Sequence, residues 1–132
     1  MFYLFVYGIL RSCNNSEQVK KMKSFSSDII TVRLDGYSLF ISKNGFTPTI
    51  YRTSDSYDFV CGELYCCDTK KNFDELLNLV ESFAGNEFEK TTVNIHSNHK
   101  FINAHSYITT DIDNFVSCDY HDYFDYLKNK TQ

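Results

Sequence analysis

The chain has 132 residues, a formal net charge of −4 and an apolar fraction of 42%. This length fits a single domain, residues 1–132, with a core large enough to fold without disulfides or a structural metal. The acidic balance argues against a nucleic-acid partner, because phosphate binding needs a basic surface, and no apolar run reaches the roughly 18 residues that cross a membrane.

The opening of the chain predicts a strand followed by a short helix. Residues 1–7 alternate well enough for a buried strand, and Gly8 breaks it. Because this segment has no basic leader and no small-residue cleavage site, we interpret it as a strand rather than a signal peptide and expect a cytoplasmic protein. Ser16 is the predicted cap of a helix that continues through Phe25.

Strand signals dominate the middle of the chain, where the abundant Tyr and Phe side chains favour pleated surfaces. Residues 28–34 and 37–42 are predicted strands, joined as a hairpin at the Asp35-Gly36 dipeptide. Asn44-Gly45 marks a further turn. The pattern therefore predicts consecutive strands with tight connections.

The second half combines strands with the clearest helix. Residues 59–67 form a predicted strand, in which Gly62 indicates a bulge or a close approach of two backbones. Residues 71–84 predict a helix with Asn72 as a plausible cap, and Gly85-Asn86 ends it. Its apolar stripe consists of Phe73, Leu76, Leu77, Val80, Phe83 and Ala84.

Two further strands and a last helix complete the prediction. The strands comprise residues 88–96 and 101–110, and the helix starts after Asp119. The predicted elements are mostly strands, with a strong central helix and a terminal helix, so the fold belongs to the α+β class.

Two features can carry chemistry. Gly8 directly follows the first strand, so a tight turn there can expose backbone amides that hold a carboxylate or an oxyanion, although an ordinary turn is the alternative. Glu81 lies at the edge of the apolar stripe, where half-burial would raise its pKa above about 4.3 and suit proton transfer near neutral pH. Asp74 lies on the same edge, and periodicity does not choose between the two.

The cysteines and histidines show no metal-ligand spacing. The number of cysteines is odd, and the adjacent Cys66 and Cys67 are expected on opposite faces of their strand. We therefore predict free thiols in a reducing compartment and no metal site. The residues concerned are Cys13, Cys61, Cys66, Cys67, Cys118, His96, His99, His105 and His121.

Several segments, taken in order, resemble the gamma-glutamyl cyclotransferase superfamily, particularly its short gamma-glutamylamine cyclotransferase-like members. "LFVYGILR", residues 4–11, is similar to the family's strand followed by Tyr-Gly-(Ser/Thr)-Leu. "LDGYSLF" and "VCGELY", residues 34–40 and 60–65, resemble its next strands. "LNLVESFAGNEFEKTTVNI", residues 77–95, resembles a Leu-Asp-x-x-Glu helix end with a Tyr-x-Arg strand opening, and "AHSY", residues 104–107, resembles a later strand ending in Tyr.

The resemblance implies a small mixed β-barrel with flanking helices and a reaction that uses neither metal nor cofactor. In that reaction the α-amine of a gamma-glutamyl group attacks its own side-chain carbonyl, and an amine and 5-oxoproline are released. Glu81 matches the family's acid/base, and a small-molecule substrate is the partner implied. The residues matched to the pocket for the gamma-glutamyl unit are Tyr7, Gly8, Ile9, Leu10 and Tyr107.

The chain departs from the family pattern at four positions. Ile9 replaces the usual Ser or Thr, which removes a hydroxyl but keeps the backbone amide; the other departures are Asn78, Phe88 and Lys90. Two other functions therefore stay open: a non-catalytic protein that binds a small or regulatory ligand, and an enzyme that uses the pocket on a different small molecule. Glu81 favours an enzyme, and Ile9 favours the alternatives.

Overall fold

A computed structural model describes residues 1–55 and 57–130 of the protein. Within these residues it contains strands and α-helices in the order β1 (Phe2–Val6), α1 (Glu17–Phe25), β2 (Asp28–Asp35), β3 (Tyr37–Ser42), β4 (Pro48–Arg52), β5 (Phe59–Cys67), α2 (Lys70–Ala84), β6 (Phe88–Ser97), β7 (Lys100–Thr109), β8 (Phe115–Ser117) and α3 (Tyr123–Lys130). Short 3-10 turns at Gly85–Glu87 and Ile112–Asn114 precede β6 and β8. The predicted α+β class is confirmed.

The strands form two sheets. The larger has the order β2-β5-β1-β7-β6 and is mixed, because β1 pairs antiparallel with β5 and parallel with β7. Its outer strands β2 and β6 contact each other, so the sheet curls into a small barrel. The smaller sheet, β4-β3-β8, lies against β5 and β7. This is the mixed barrel with flanking helices that the family resemblance implied.

The hairpin predicted at Asp35-Gly36 is wrong. The two flanking strands belong to different sheets, because β2 pairs with β5 whereas β3 pairs with β4 and β8. Gly36 has φ = +81°, a conformation that glycine adopts readily, and it turns the chain from one sheet into the other. A true hairpin follows at the Asn44-Gly45 turn, which joins β3 to the antiparallel β4.

The two helices that flank the barrel are capped by hydroxyl side chains. Ser16 caps α1 as predicted, accepting a hydrogen bond from Val19 N at 3.3 Å. The cap of α2 is Thr69 rather than the predicted Asn72, whose backbone N donates to Thr69 Oγ1 at 3.2 Å. Because a cap accepts from the amide two or three residues further on, Asn72 lies within the first turn instead of before it.

Strand alternation divides the buried side chains between two cores. In β1, Phe5 lies inside the barrel, whereas Leu4 and Val6 face the helices. The neighbouring cysteines of β5 divide in the same way: Cys66 lies inside and Cys67 outside, as predicted. Both faces of these strands are therefore buried, which explains their nearly continuous apolar sequences.

The five cysteines are free thiols in the structure. Burial raises the pKa of the Cys66 thiol to about 11, so it stays protonated and packs as a small apolar group. None of the helices in the described part of the chain has the length and apolar character needed to span a bilayer.

The close backbone approach indicated by Gly62 is present where β5 pairs with the end of β1, next to the Val6–Glu63 pair. A Cβ atom at this position would lie 2.4 Å from the carbonyl oxygen of Val6 and 2.7 Å from the ring of Phe5. Only glycine fits at this distance, and the close approach brings β5 against the end of β1, where the chain leaves the barrel.

Candidate active site

A cavity of about 280 Å³ opens at the end of β1. Its wall is formed by residues 8–10, by residues 46–48 of the β3–β4 turn, by the last turn of α2 and by Tyr107 of β7. Pro48 packs on Gly8, where a Cβ atom would meet its ring at 2.8 Å, so the β3–β4 turn closes one side of the cavity.

Residues 8–14, called here the Gly8 loop, are held by hydrogen bonds to their carbonyl groups. Arg11 N donates to the Gly8 carbonyl at 3.1 Å. Asn14 Nδ2 donates to the Ile9 carbonyl at 2.8 Å, and Tyr65 Oη donates to the Leu10 carbonyl at 2.8 Å. The loop is therefore a fixed structure rather than a loose connection.

The amide groups of the same loop are arranged differently. Among residues 1–55 and 57–130, no acceptor pairs with the backbone N–H groups of Ile9 and Leu10. Both residues line the cavity. A pair of unpaired amides in a loop with satisfied carbonyls is suited to holding a carboxylate or the oxyanion that develops on a carbonyl under attack.

A buried carboxylate anchors the loop from below. Glu63 of β5 is only 8% exposed and accepts hydrogen bonds from Ser12 N at 2.6 Å and Ser12 Oγ at 2.5 Å. Sequence reasoning assigned this residue no role. The available signal was a charged residue within an otherwise apolar strand, since such a residue is buried only when it is paired.

Arg11, whose charge interacts with Glu63, forms its salt bridge with another carboxylate. Arg11 Nη1 donates to Asp122 Oδ1 at 2.8 Å, and its guanidinium lies over the ring of Phe124. Burial disfavours its charge, but Asp122 and Glu63 together raise the pKa of Arg11 above its ordinary value. Arg11 thus joins the Gly8 loop to the region before α3.

Glu81 lies outside the cavity lining, and its expected half-burial is wrong. Its side chain is exposed on α2, whereas Val80, Phe83 and Ala84 of the same helix line the cavity. The physical reason is the helical period, which turns Glu81 about 100° away from Val80. Sequence periodicity put it at the edge of the buried stripe, and the structure puts that edge in solvent.

The negative charge of Glu81 nevertheless acts on the cavity wall. Burial and then the charge of Glu81 raise the pKa of Tyr107, so this phenol stays protonated near neutral pH. The Tyr107 hydroxyl is buried and makes no hydrogen bond of full geometry with a described residue; Glu81 is the side chain that interacts with it. A buried polar group that is not fully hydrogen-bonded is uncommon and is a candidate contact for a ligand.

Tyr7 holds the strand that carries Tyr107. Its hydroxyl donates to the backbone carbonyl of Tyr107 at 2.5 Å, and burial raises the pKa of Tyr7 well above its ordinary value. The structure therefore brings the residues of the expected binding set around one cavity. They are Tyr7, Gly8, Ile9, Leu10 and Tyr107.

Comparison with known proteins identifies the family. The sequence profile described as "Gamma-glutamyl cyclotransferase, AIG2-like" matches residues 4–125. The chain belongs to this family. The matched region includes the Gly8 loop, Glu81 and Tyr107, and it confirms the resemblance seen in the sequence. A comparison with curated proteins found no match.

Solved structures share the fold. A protein from Arabidopsis thaliana, known from its solution structure, is 25% identical with a TM-score of 0.62, over 98% of this chain and 82% of that one. YkqA from Bacillus subtilis is 19% identical with a TM-score of 0.63; the match covers 99% of this chain but 43% of YkqA, so this chain spans less than half of that protein. A gamma-glutamyl cyclotransferase is 21% identical with a TM-score of 0.56, over 88% of this chain and 69% of that one.

Two further side chains shape the cavity, Ile9 and Glu87. Ile9 points an exposed apolar side chain at the mouth, where the family pattern has a hydroxyl. Glu87, which sequence reasoning did not single out, also lines the cavity from the short 3-10 turn after α2. Among the described residues, no cluster of three or more His, Cys, Asp or Glu side chains could hold a metal ion.

Proposed function

We propose that this protein is a cyclotransferase that converts a gamma-glutamyl amine or amide into 5-oxoproline and a free amine. The observation that carries the proposal is that Ile9 and Leu10, whose backbone amides are unpaired among the described residues, line one cavity with Tyr107. A gamma-glutamyl group offers the anionic and carbonyl oxygens that such amides bind. The family membership supports the same reaction.

The reaction is an internal aminolysis. The α-nitrogen of the substrate forms a bond to the side-chain carbonyl carbon, and the bond from that carbon to the leaving nitrogen breaks. Two protons pass overall from the attacking nitrogen to the leaving nitrogen, and no water is consumed. Since the α-ammonium is protonated at neutral pH, it must first lose a proton to a base.

Glu81 is the proposed base. Its charge influences Tyr107 at the cavity wall, and an exposed glutamate side chain can adopt rotamers that point toward the cavity. In such a rotamer the carboxylate would accept a proton from the substrate ammonium and return one to the leaving amine. The buried Tyr107 hydroxyl would then form a hydrogen bond of full geometry with either Glu81 or the substrate.

Two observations favour a non-catalytic binding protein instead. Glu81 is exposed and outside the cavity lining, and Ile9 presents an alkyl group where the family pattern has a hydroxyl. In this second function the same amides would hold a small carboxylate ligand without turnover.

The test compares Glu81→Gln with a matched control, Glu75→Gln, which changes an exposed glutamate on the same helix. Gamma-glutamyl amines, gamma-glutamyl dipeptides and glutathione are offered to each protein, and 5-oxoproline is measured by mass spectrometry. We expect Glu81→Gln to lower kcat/KM by about two to four orders of magnitude, because glutamine cannot accept a proton, and Glu75→Gln to behave like the parent.

Two outcomes contradict the proposal. Full activity in Glu81→Gln would remove Glu81 from the role of base. No 5-oxoproline from any substrate, with a folded protein and an equally inactive Ile9→Ser variant, would favour the binding protein.

A further inference from the structure

Three exposed apolar side chains surround the mouth of the cavity. Ile9, Phe46 and Phe83 are 38%, 69% and 45% exposed, and all three line the cavity; we call them the apolar collar. Deeper in the same cavity, Val6 and Tyr107 are buried. Large apolar side chains that converge on a concave site mark a binding surface, whereas single ones scattered over a protein do not.

Helix α3 holds the most exposed member of the collar in place. Tyr123 Oη donates to the carbonyl of Phe46 at 3.0 Å, and Tyr126 Oη donates to the carbonyl of Gly45 at 3.2 Å. Lys130 Nζ donates to the same Gly45 carbonyl at 2.6 Å and lies 4.1 Å from the centroid of the Phe46 ring. The backbone that carries the exposed ring is therefore held by three hydrogen bonds, which is expected of a binding wall rather than of a loose turn.

The depth of the cavity decides which part of a substrate meets the collar. In the proposed function the gamma-glutamyl group binds at the amides of Ile9 and Leu10 and at Tyr107, so its leaving amine extends toward the mouth. We propose that the apolar collar selects substrates whose leaving amine carries an uncharged, apolar chain or ring. The inference rests on the proposed function and deepens it by naming the class of amine.

The charges near the mouth have both signs, so the apolar collar rather than charge carries the proposal. The ammonium of Lys130 lies against the Phe46 ring and disfavours a second cation there. Two carboxylates oppose this effect: Glu87 lines both the cavity and an adjoining polar cavity of about 330 Å³, which Asp111 also lines. Lys43 lines that polar cavity too, so it is not purely acidic.

The test uses two gamma-glutamyl amides of equal length, the hexyl amide and the aminopentyl amide, which differ only in a terminal methyl or ammonium group. We expect kcat/KM for the hexyl amide to be higher by about tenfold or more, since burial of its terminal methyl is favourable whereas burial of an unpaired ammonium is costly. Phe46→Ala and Phe83→Ala should each lower this ratio to about threefold or less. Phe101→Ala is the matched control, because Phe101 is 74% exposed and stacks on His96 of the β6–β7 hairpin.

The outcomes separate this inference from the proposed function. If kcat/KM for the aminopentyl amide equals or exceeds that for the hexyl amide, the protein is a cyclotransferase but the inference that the apolar collar selects apolar amines is wrong. If neither amide releases 5-oxoproline, calorimetry measures their binding to the same proteins. If the hexyl amide binds more tightly to the parent and to Phe101→Ala but not to Phe46→Ala or Phe83→Ala, this result supports the selectivity of the apolar collar although the protein is not a cyclotransferase. Equal affinities, or no binding of either amide, overturn it.

Discussion

Removal of the Glu63 carboxylate should loosen the Gly8 loop. This carboxylate accepts hydrogen bonds from the backbone amide and the hydroxyl of Ser12, at 2.6 and 2.5 Å, and with Tyr65 it attaches the loop to β5. Glu63→Ala removes both acceptors. Glu63→Gln keeps the size of the side chain and can still accept from the Ser12 amide while it donates to the Ser12 oxygen.

The magnitude follows from the two hydrogen bonds. Hydrogen bonds to a charged group contribute about 1.5–3 kcal/mol each, and the cost of burying the carboxylate offsets part of the sum. We expect Glu63→Ala to lower the free energy of unfolding by about 3 kcal/mol and Glu63→Gln by about 1 kcal/mol. Because displaced amides no longer fit the substrate, kcat/KM should also fall in Glu63→Ala, by about tenfold to a hundredfold.

Urea unfolding measures the free energies, with the slope checked for constancy among variants. A double-mutant cycle of Glu63→Ala with Ser12→Ala should give a coupling of about 1 kcal/mol, since each substitution removes the hydrogen bond that the two side chains share. Glu89→Gln is the control, because Glu89 is an exposed glutamate on β6. A Glu63→Ala protein as stable as this control, or a coupling of zero, would refute the anchoring role.

Two further predictions test packing and charge. Gly62→Ala should lower the free energy of unfolding by about 3 kcal/mol or more, because its Cβ would lie 2.4 Å from the Val6 carbonyl oxygen. The control Gly36→Ala meets no atom within 4 Å, so it should lose only about 1–2 kcal/mol, which is what a positive φ costs a residue with a Cβ. Equal losses of the two variants in urea unfolding would count against the steric argument. Burial, followed by the charge of Lys90, lowers the pKa of His105 below about 6.5, so the folded state binds its proton less well than the unfolded state does. The stability that His105 contributes is therefore complete above about pH 6.5 and falls as the pH drops toward the lowered pKa of the folded state; an NMR titration that places this pKa at or above about 6.5 would contradict the prediction.

Local signals located most elements. Ser16 and the apolar positions after it predicted α1, and the stripe from Phe73 to Ala84 predicted α2, because capping and helical period act within one or two turns. The short strands β4 and β8 were missed. Each has few residues and no independent pattern, and each forms only by pairing with β3.

The sequence pointed to part of the candidate site and missed the rest. The resemblance selected residues 8–10, Glu81 and Tyr107, but Glu63 went unrecognised, because its burial depends on β5 being covered on both faces. Phe46 was equally invisible, since it reaches the cavity only through the β3–β4 turn and its contacts with α3. The roles of the selected residues stay predictions.

By itself, the sequence determined the α+β class, the helices, the longer strands, the break at Gly8 and the family. These depend on periodicity, capping and short motifs, which are properties of neighbouring residues. Only the tertiary structure decided that β2 and β3 part into different sheets, that Glu81 faces solvent and that three exposed apolar side chains meet at one cavity. Such features arise when segments distant in sequence pack together, and no local pattern encodes the partner on which each one depends.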